Sequence, residues 1–415
     1  MTGMARYGDL PLAQKLRFVA IALSLPVIVL STALTNLLPV FRATHNKTKS
    51  LKRILGEGVM RYLFTHLRVS QLQWASGTTS DVYTKWAIGK QAAVVDEIQD
   101  SEGARLCWVG PKRADRVLLY LHGGCFHLPV TDFTLDFLRY IQLELEKQGI
   151  DIGVAVLEYC AFCVPVIELV LIVVVFTALA PYAQFPIPLL QTTLAIQHLT
   201  SLSPSPQLVI AGDSAGGHLA LQVLSHMLHP NVVPDIPTIQ SPSRIAGICL
   251  LSPWASLSTT SASAAINDGI DVVPRKVVQA LGAALLPAFS ASASGDATAA
   301  MLPFAEPSGA PVDWFARLEQ VTARLLVTCG SGEVMRDDIL RLAGVLQEAS
   351  STGNGPGAGT GKEQTEVTLL EQAGGVHDDM LLDFMVKEDV QEKEDALTPA
   401  IVSWLAECWM RELEA

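Results

Sequence analysis

Six short apolar runs punctuate the chain between residues 116 and 370, alternating with stretches whose apolar residues recur at helical spacing. The runs are "RVLLYL" (116–121), "VAVLEY" (154–159), "QLVIA" (207–211), "IAGICLL" (245–251), "RLLVTC" (324–329) and "EVTLL" (366–370). Each has the length of a strand and lacks polar alternation, as strands buried on both faces do. Helices are predicted between them, over 131–148, 189–200, 215–228 and 335–349. The alternation implies an α/β fold, a central and mostly parallel sheet flanked by helices. The Ser/Ala-rich stretch 285–300 and the Gly-rich "SSTGNGPGAGTG" (350–361) read as surface loops.

Two longer apolar runs break this pattern. Phe18 to Phe41 is free of charge for 24 residues and bracketed by Arg17 and Arg42. It is long enough to cross a bilayer, with Pro26 and Asn36 as weak points, and it lacks a small-x-small cleavage site. An uncleaved anchor at 18–41 is therefore expected, after an amino-terminal flank at 1–17. Arg42, Lys47, Lys49, Lys52 and Arg53 outnumber Arg6, Lys15 and Arg17, which by the charge rule places the following domain in the cytosol. The sequon Asn46-Lys47-Thr48 points to the opposite side. The second run, Cys160 to Ala180, contains one charged residue, Glu168, in the middle of the strand-and-helix pattern.

Composition narrows the partners. Half of the 415 residues are hydrophobic, 17% are charged, and mean hydropathy is +0.34; that is apolar for a soluble domain and keeps membrane contact open. A net charge of −12 argues against nucleic acid, which requires clustered Lys and Arg. Seven scattered cysteines do not suggest a disulfide framework and are expected to be mostly buried thiols. Cys160-x-x-Cys163 has no second ligand pair nearby, so no metal site is inferred.

The chemistry gathers at a few loops. Gly212-Asp213-Ser214-Ala215-Gly216 is a G-x-S-x-G between a predicted strand and a predicted helix. That context makes Ser214 the candidate nucleophile on a sharp turn, with the helix N-terminus favouring developing negative charge. Upstream, His122-Gly123-Gly124-Cys125 follows another strand. An ester's tetrahedral intermediate requires backbone N–H donors, and Gly123, Gly124 and the amide of Ala215 are assigned to that oxyanion hole. His122 is expected to brace the loop; His127 and His218 have no assigned chemistry. A serine hydroxyl needs a base and a carboxylate that orients it. His377, the only histidine after His229, is the candidate base. Glu333 and Asp337 are both candidate acids, while Asp338 and Asp378 are expected to be solvated surface charges.

The joint pattern of "HGGCF", "GDSAGGHLA", "PVDWFARLEQVTARLLVTCGSGEVMRDD" and "GGVHDD" resembles the hormone-sensitive-lipase-like branch of the α/β-hydrolases, especially fungal steryl acetyl hydrolase-like members. The resemblance runs from about residue 80 to 412. It implies linker or cap helices over 42–80, an α/β-hydrolase domain over 81–415, and a cap segment over about 255–315. It also implies a single-pass membrane anchor, with the endoplasmic reticulum as its expected location. Three departures stand out. Cys125 replaces the third glycine of the usual H-G-G-G, and Glu333-Val-Met-Arg-Asp337 replaces D-P-L-x-D, which selects Glu333 with Asp337 as alternative. The third departure separates Tyr159 from Leu179-Ala180-Pro181 by 19 residues where relatives have one, an insertion of 18 residues within 160–178. A second spanning helix there would pull a strand-to-helix connection out of the sheet; a membrane-dipping loop is gentler. The clean resumption of the motif favours a translated intron.

The function expected from these residues is two-step hydrolysis of a carboxylic ester, with a short acyl group on a hydrophobic alcohol and no cofactor. Alternatives are a secondary-metabolite tailoring hydrolase or acyltransferase using the same triad, and a catalytically impaired membrane-bound binding protein.

Overall fold

The computed structural model describes residues 10–37, 42–47, 49–159, 185–239, 244–291, 297–352, 364–390 and 396–410. The apolar run after Tyr159, with Cys160, Cys163 and Glu168, lies outside the described residues, as do Thr48 of the sequon and most of the Gly-rich stretch.

Eight strands form one sheet: β1 (Val95–Glu97), β2 (Arg105–Val109), β3 (Arg116–Leu121), β4 (Gly153–Glu158), β5 (Gln207–Asp213), β6 (Gly247–Leu251), β7 (Arg324–Gly330) and β8 (Glu366–Gln372). Their spatial order is β1-β2-β4-β3-β5-β6-β7-β8. From β4 onward every neighbour is parallel; β1 and β2 are antiparallel additions, β2 pairing with β4. All six predicted strands are present within two residues of their predicted ends. β1 and β2 were not predicted; β1 has only three residues, too few to display a period.

The helices are α1 (Leu12–Asn36), α2 (Leu51–His66), α3 (Val69–Ser76), α4 (Thr79–Ala87), α5 (Asp132–Lys147), α6 (Ile187–Ser201), α7 (Ala215–Leu228), α8 (Ala262–Ile266), α9 (Arg275–Ala291), α10 (Ala297–Ala305), α11 (Arg336–Thr352), α12 (Asp379–Val386) and α13 (Leu397–Met410). Local chemistry explains their ends. Thr131 accepts from the Thr134 N–H at the start of α5, with Asp132 in the first turn and Lys147 in the last, complementing the helix dipole. Thr78 and Asp81 form a reciprocal capping box at α4. The stretch 285–300, expected as a loop, is helical up to residue 291 and again from 297; its alanines favour helix more than its serines favour turns.

Side chains alternate between the two faces of the sheet. Val117, Leu119 and Leu121 of β3 join one core with α6, α7 and α11, whereas Leu118 and Tyr120 join the other with α4, α5 and α13. Packing is continuous across the boundary expected near residue 80. Tyr83 and Trp86 of α4, which begins at Thr79, are in the second core, and Arg53 of α2 is buried against Asp379 and Asp383 of α12. Residues 42–80 are thus an integral layer of the fold. Among the described residues, one helix, α1, is long and apolar enough to cross a membrane. It begins six residues before the charge-free run and continues through Pro26 to Asn36.

Candidate active site

Turns at the carboxyl ends of β5, β7 and β8 converge, where parallel α/β sheets place their ligands. Ser214, between β5 and α7, has φ 51° and ψ −116°, a region that a non-glycine residue occupies only when its surroundings require it. Its N–H donates to the Leu251 carbonyl at 2.9 Å, and its carbonyl accepts from the Trp254 N–H at 2.9 Å. Two residues on, a Cβ at Gly216 would stand 1.8 Å from the Leu121 carbonyl oxygen, so only glycine lets α7 start this close to β3.

Ser214 Oγ lies 2.9 Å from His377 Nε2, and His377 Nδ1 lies 3.3 Å from Glu333 Oε2. Glu333 has no solvent exposure; its other oxygen accepts from Ser252 Oγ at 2.7 Å and from the Gly330 N–H. These bonds fix the carboxylate so that Oε2 faces the imidazole. Asp337, the alternative acid, is turned elsewhere: it accepts from the Ser263 N–H at 2.8 Å and pairs with Arg336.

Three expectations need correction. Gly123 does not direct its amide into an oxyanion hole, because that N–H donates to Asp213 Oδ1 at 2.9 Å. Among the described residues, the amides of Gly124, Cys125 and Ala215 have no such acceptor. Gly124, Cys125 and Phe126 all have positive φ, 101°, 56° and 62°, a turn that presents consecutive N–H groups in the manner of an anion nest. Asp338 is not solvated; it is 2% exposed and accepts from Ser261 Oγ at 3.0 Å. Nor is Asp378 an ordinary surface charge. Its Oδ2 lies 3.2 Å from His377 Nε2, on the same nitrogen that meets Ser214.

Charges crowd around His377. Burial alone would lower the His377 pKa, but Asp378, then Glu333 and Asp271, raise it to about 10. Asp378 is itself pushed well above the carboxylate range by burial and by Asp213, Glu333 and Asp271, with His377 opposing. The pair therefore retains a proton to higher pH than either group would alone. His122 is held neutral, down to about 4, by burial. It bonds Thr79 Oγ1 at 3.0 Å and the Gly123 carbonyl at 2.8 Å and stacks on Tyr159, the bracing position expected of it. Burial pushes the Cys125 thiol up to about 12, so it stays protonated near neutrality.

Asp271 was missed by the sequence reading. It is fully buried and accepts from the N–H groups of Val272 (2.7 Å), Val334 (2.7 Å) and His377 (2.9 Å), tying the acid turn to the histidine loop. Its stretch, "NDGID", reads locally as a polar turn, and no spacing rule links it to residues more than sixty positions away.

A family model described as alpha/beta hydrolase fold matches residues 159–353, which include Ser214 and Glu333. The chain has the α/β-hydrolase fold. Solved structures agree. An esterase from the bacterial hormone-sensitive lipase (HSL) family is 20% identical with a TM-score of 0.55, over 87% of this chain and 99% of that one. An esterase/lipase from an uncultured bacterium is 19% identical with a TM-score of 0.55, over 86% and 98%. A hormone-sensitive lipase from a metagenome library is 16% identical with a TM-score of 0.55, over 85% and 96%. No curated protein sequence matches the chain. In this α/β-hydrolase scaffold Ser214 follows β5, Glu333 follows β7 and His377 follows β8, in the chain order serine, acid, histidine. Among the described residues, no group of three or more His, Cys, Asp and Glu side chains is arranged to hold a metal ion.

Proposed function

We propose that this α/β-hydrolase is a serine carboxylic ester hydrolase. The observation that carries the reading is the Ser214 Oγ to His377 Nε2 contact of 2.9 Å on a positive-φ turn, with Glu333 on the opposite ring nitrogen. His377 takes the Ser214 proton as Oγ attacks the ester carbonyl, and Glu333 stabilises the imidazolium that forms. The amides of Gly124, Cys125 and Ala215 receive the oxyanion. Collapse breaks the bond to the alcohol oxygen, which takes the proton from His377. Water, deprotonated by the same histidine, then releases the acid and restores Ser214.

A short acyl group on a bulky apolar alcohol is the substrate class that fits best. Support comes from the rings beside the nucleophile: Phe126 meets His218 edge-on at 5.9 Å, His218 meets Phe289 at 6.4 Å, and Phe289 stacks on Phe185 at 4.3 Å. A cap formed from the amino-terminal helices and the segment 255–315 belongs to the same reading. So does membrane attachment through α1, with the endoplasmic reticulum as the location that the family resemblance implies. The test is p-nitrophenyl acetate hydrolysis together with labelling by a fluorophosphonate. The full chain is expected to turn over the ester and take up one label. Ser214→Ala is expected to lose both, with a rate loss on the order of 10⁴-fold or more. Folded full chain that neither hydrolyses nor labels would exclude the assignment.

A further inference from the structure

α1 is built with two different faces. Gln14, Phe18, Ile28, Thr32 and Asn36 are shielded or half-shielded on one side. The other side is a row of exposed apolar residues at Leu12, Leu16, Val19, Leu23, Val27, Leu30, Leu34 and Leu37. The spacing of three and four residues keeps that row on one face of the helix.

The shielded face is fastened to α3 and α2 over its first half and to the segment that follows α1 at its end. Near the start, Gln71 Nε2 of α3 donates to the Gln14 carbonyl at 2.9 Å and Arg17 donates to the His66 carbonyl at 3.1 Å. Phe18 packs edge-on against Trp74 of α3 at 5.4 Å. In the middle, Ser24 Oγ meets the Tyr62 hydroxyl of α2 at 2.5 Å. At the end, Asn46 donates to Asn36 Oδ1 at 3.3 Å and Arg42 donates to the Asn36 carbonyl at 2.8 Å. From Gln14 to Asn36 is about 33 Å of helix at 1.5 Å per residue, so these fastenings cover the thickness of a bilayer core.

A helix held this way cannot cross a membrane unless it leaves α2 or takes α2 with it. α2 is unfit for lipid. It carries Arg53, Glu57 and Arg61, and Arg53 is locked to Asp379 and Asp383 just after His377. Helix α3, beneath the start of α1, also reaches the oxyanion loop: Gln73 Nε2 donates to the His127 carbonyl at 2.9 Å. The apolar row thus lies on the layer that covers the oxyanion side of the site.

Charge selects the occupant of that row. No acidic residue occurs from Leu10 to Ser50, whereas Lys15 and Arg17 stand near one end of α1 and exposed Lys47 and Lys52 follow the other. A self-associating helix pair would use charges of both signs beside its apolar seam. A basic border around an apolar face matches an anionic phospholipid surface instead.

We propose that α1 lies in the plane of a membrane, with its Leu12 to Leu37 row sunk into the headgroup boundary and its other face still packed on α2 and α3. The chain is then attached on one side and spans nothing. The attachment itself does not depend on the esterase reading.

Two measurements on the full chain test this. The first is flotation with vesicles of phosphatidylcholine and phosphatidylserine. The chain is expected to float, and Leu16→Glu, Leu23→Glu and Leu30→Glu together are expected to lower binding at least about tenfold while thermal unfolding stays unchanged. The second is synthesis in the presence of sealed microsomes with an epitope ahead of Met1. The epitope and the catalytic domain are expected to be accessible to protease together or protected together. Opposite protection of the two would establish a spanning helix and overturn the proposal. Absence of flotation would overturn it too, as would a soluble dimer that the three substitutions dissociate, since the row would then belong to a second copy.

Discussion

His377 meets two groups through one nitrogen, Ser214 Oγ at 2.9 Å and Asp378 Oδ2 at 3.2 Å. A carboxylate there favours imidazolium, and the neutral ring that accepts the serine proton is reached only at higher pH than for an ordinary histidine near 6.5. With His377 as the proposed base, kcat/KM is expected to rise with pH, with its acid limb on the alkaline side of 6.5. Asp378→Asn removes the largest of the raising charges and is expected to move that limb toward lower pH, read from the pH profile of both enzymes; an unmoved limb would show that Asp378 does not set it. A second consequence concerns Asp271, whose carboxylate takes three buried N–H groups. Asp271→Ala strands those donors and is expected to cost about 3 kcal/mol or more of stability, with a fall in kcat because the histidine loop loses its tie to the acid turn. Denaturant unfolding and steady-state kinetics measure the two effects separately.

At the scale of elements, α2 joins the amino-terminal layer to the catalytic loop. Arg53 is 1% exposed and meets Glu57 at 2.8 Å, Asp383 at 2.6 Å and Asp379 at 2.5 Å. One guanidinium thus meets three buried carboxylates, of which Glu57 also pairs with Lys49 at 2.8 Å. Arg53→Ala is expected to destabilise the fold by about 3–5 kcal/mol, seen as a lower denaturant midpoint; a midpoint unchanged from the parent would mean these carboxylates are protonated or hydrated. Arg61 adds a second link, donating to the Ile270 and Asp271 carbonyls. The contact between β3 and α7 is equally demanding. With a Cβ at residue 216 only 1.8 Å from the Leu121 oxygen, Gly216→Ala is expected to displace Ser214 and remove fluorophosphonate labelling even in protein that remains folded.

At the scale of the whole molecule, the described residues that flank the anomalous apolar run are both held in the core. Tyr159 is 5% exposed and its hydroxyl donates to the His122 carbonyl; Phe185 is 8% exposed and stacks on Phe289. Phe126, His218 and Phe289 link the two in a chain of ring contacts. Removing residues 161–178 leaves seven residues between Tyr159 and Phe185, and an extended chain of that length reaches about 25 Å. The shortened protein is accordingly expected to fold and to hydrolyse p-nitrophenyl acetate at least as fast as the full chain. A shortened protein that is folded yet inactive would make the run a working part of the enzyme.

Much of this protein was legible in the residues themselves. Strands buried on both faces leave continuous apolar runs, and a nucleophile turn needs small residues at fixed offsets, so β3 to β8, α7 and the candidates Ser214 and His377 could be placed from the residues, whereas local rules left Glu333 and Asp337 both open and only the family resemblance chose between them. Tertiary structure decided what depends on distant partners. Gly123 lost its place among the oxyanion donors because Asp213, ninety positions away, takes its N–H. Asp378 and Asp338 were drawn in from the surface, and Asp271 was joined to a loop more than a hundred residues later. The two faces of α1 also emerged only in three dimensions, because hydropathy averages around a helix while packing against α2 and α3 covers one side and leaves the other bare. Local sequence determines which backbone forms; which polar group meets which is determined by the fold that brings them together.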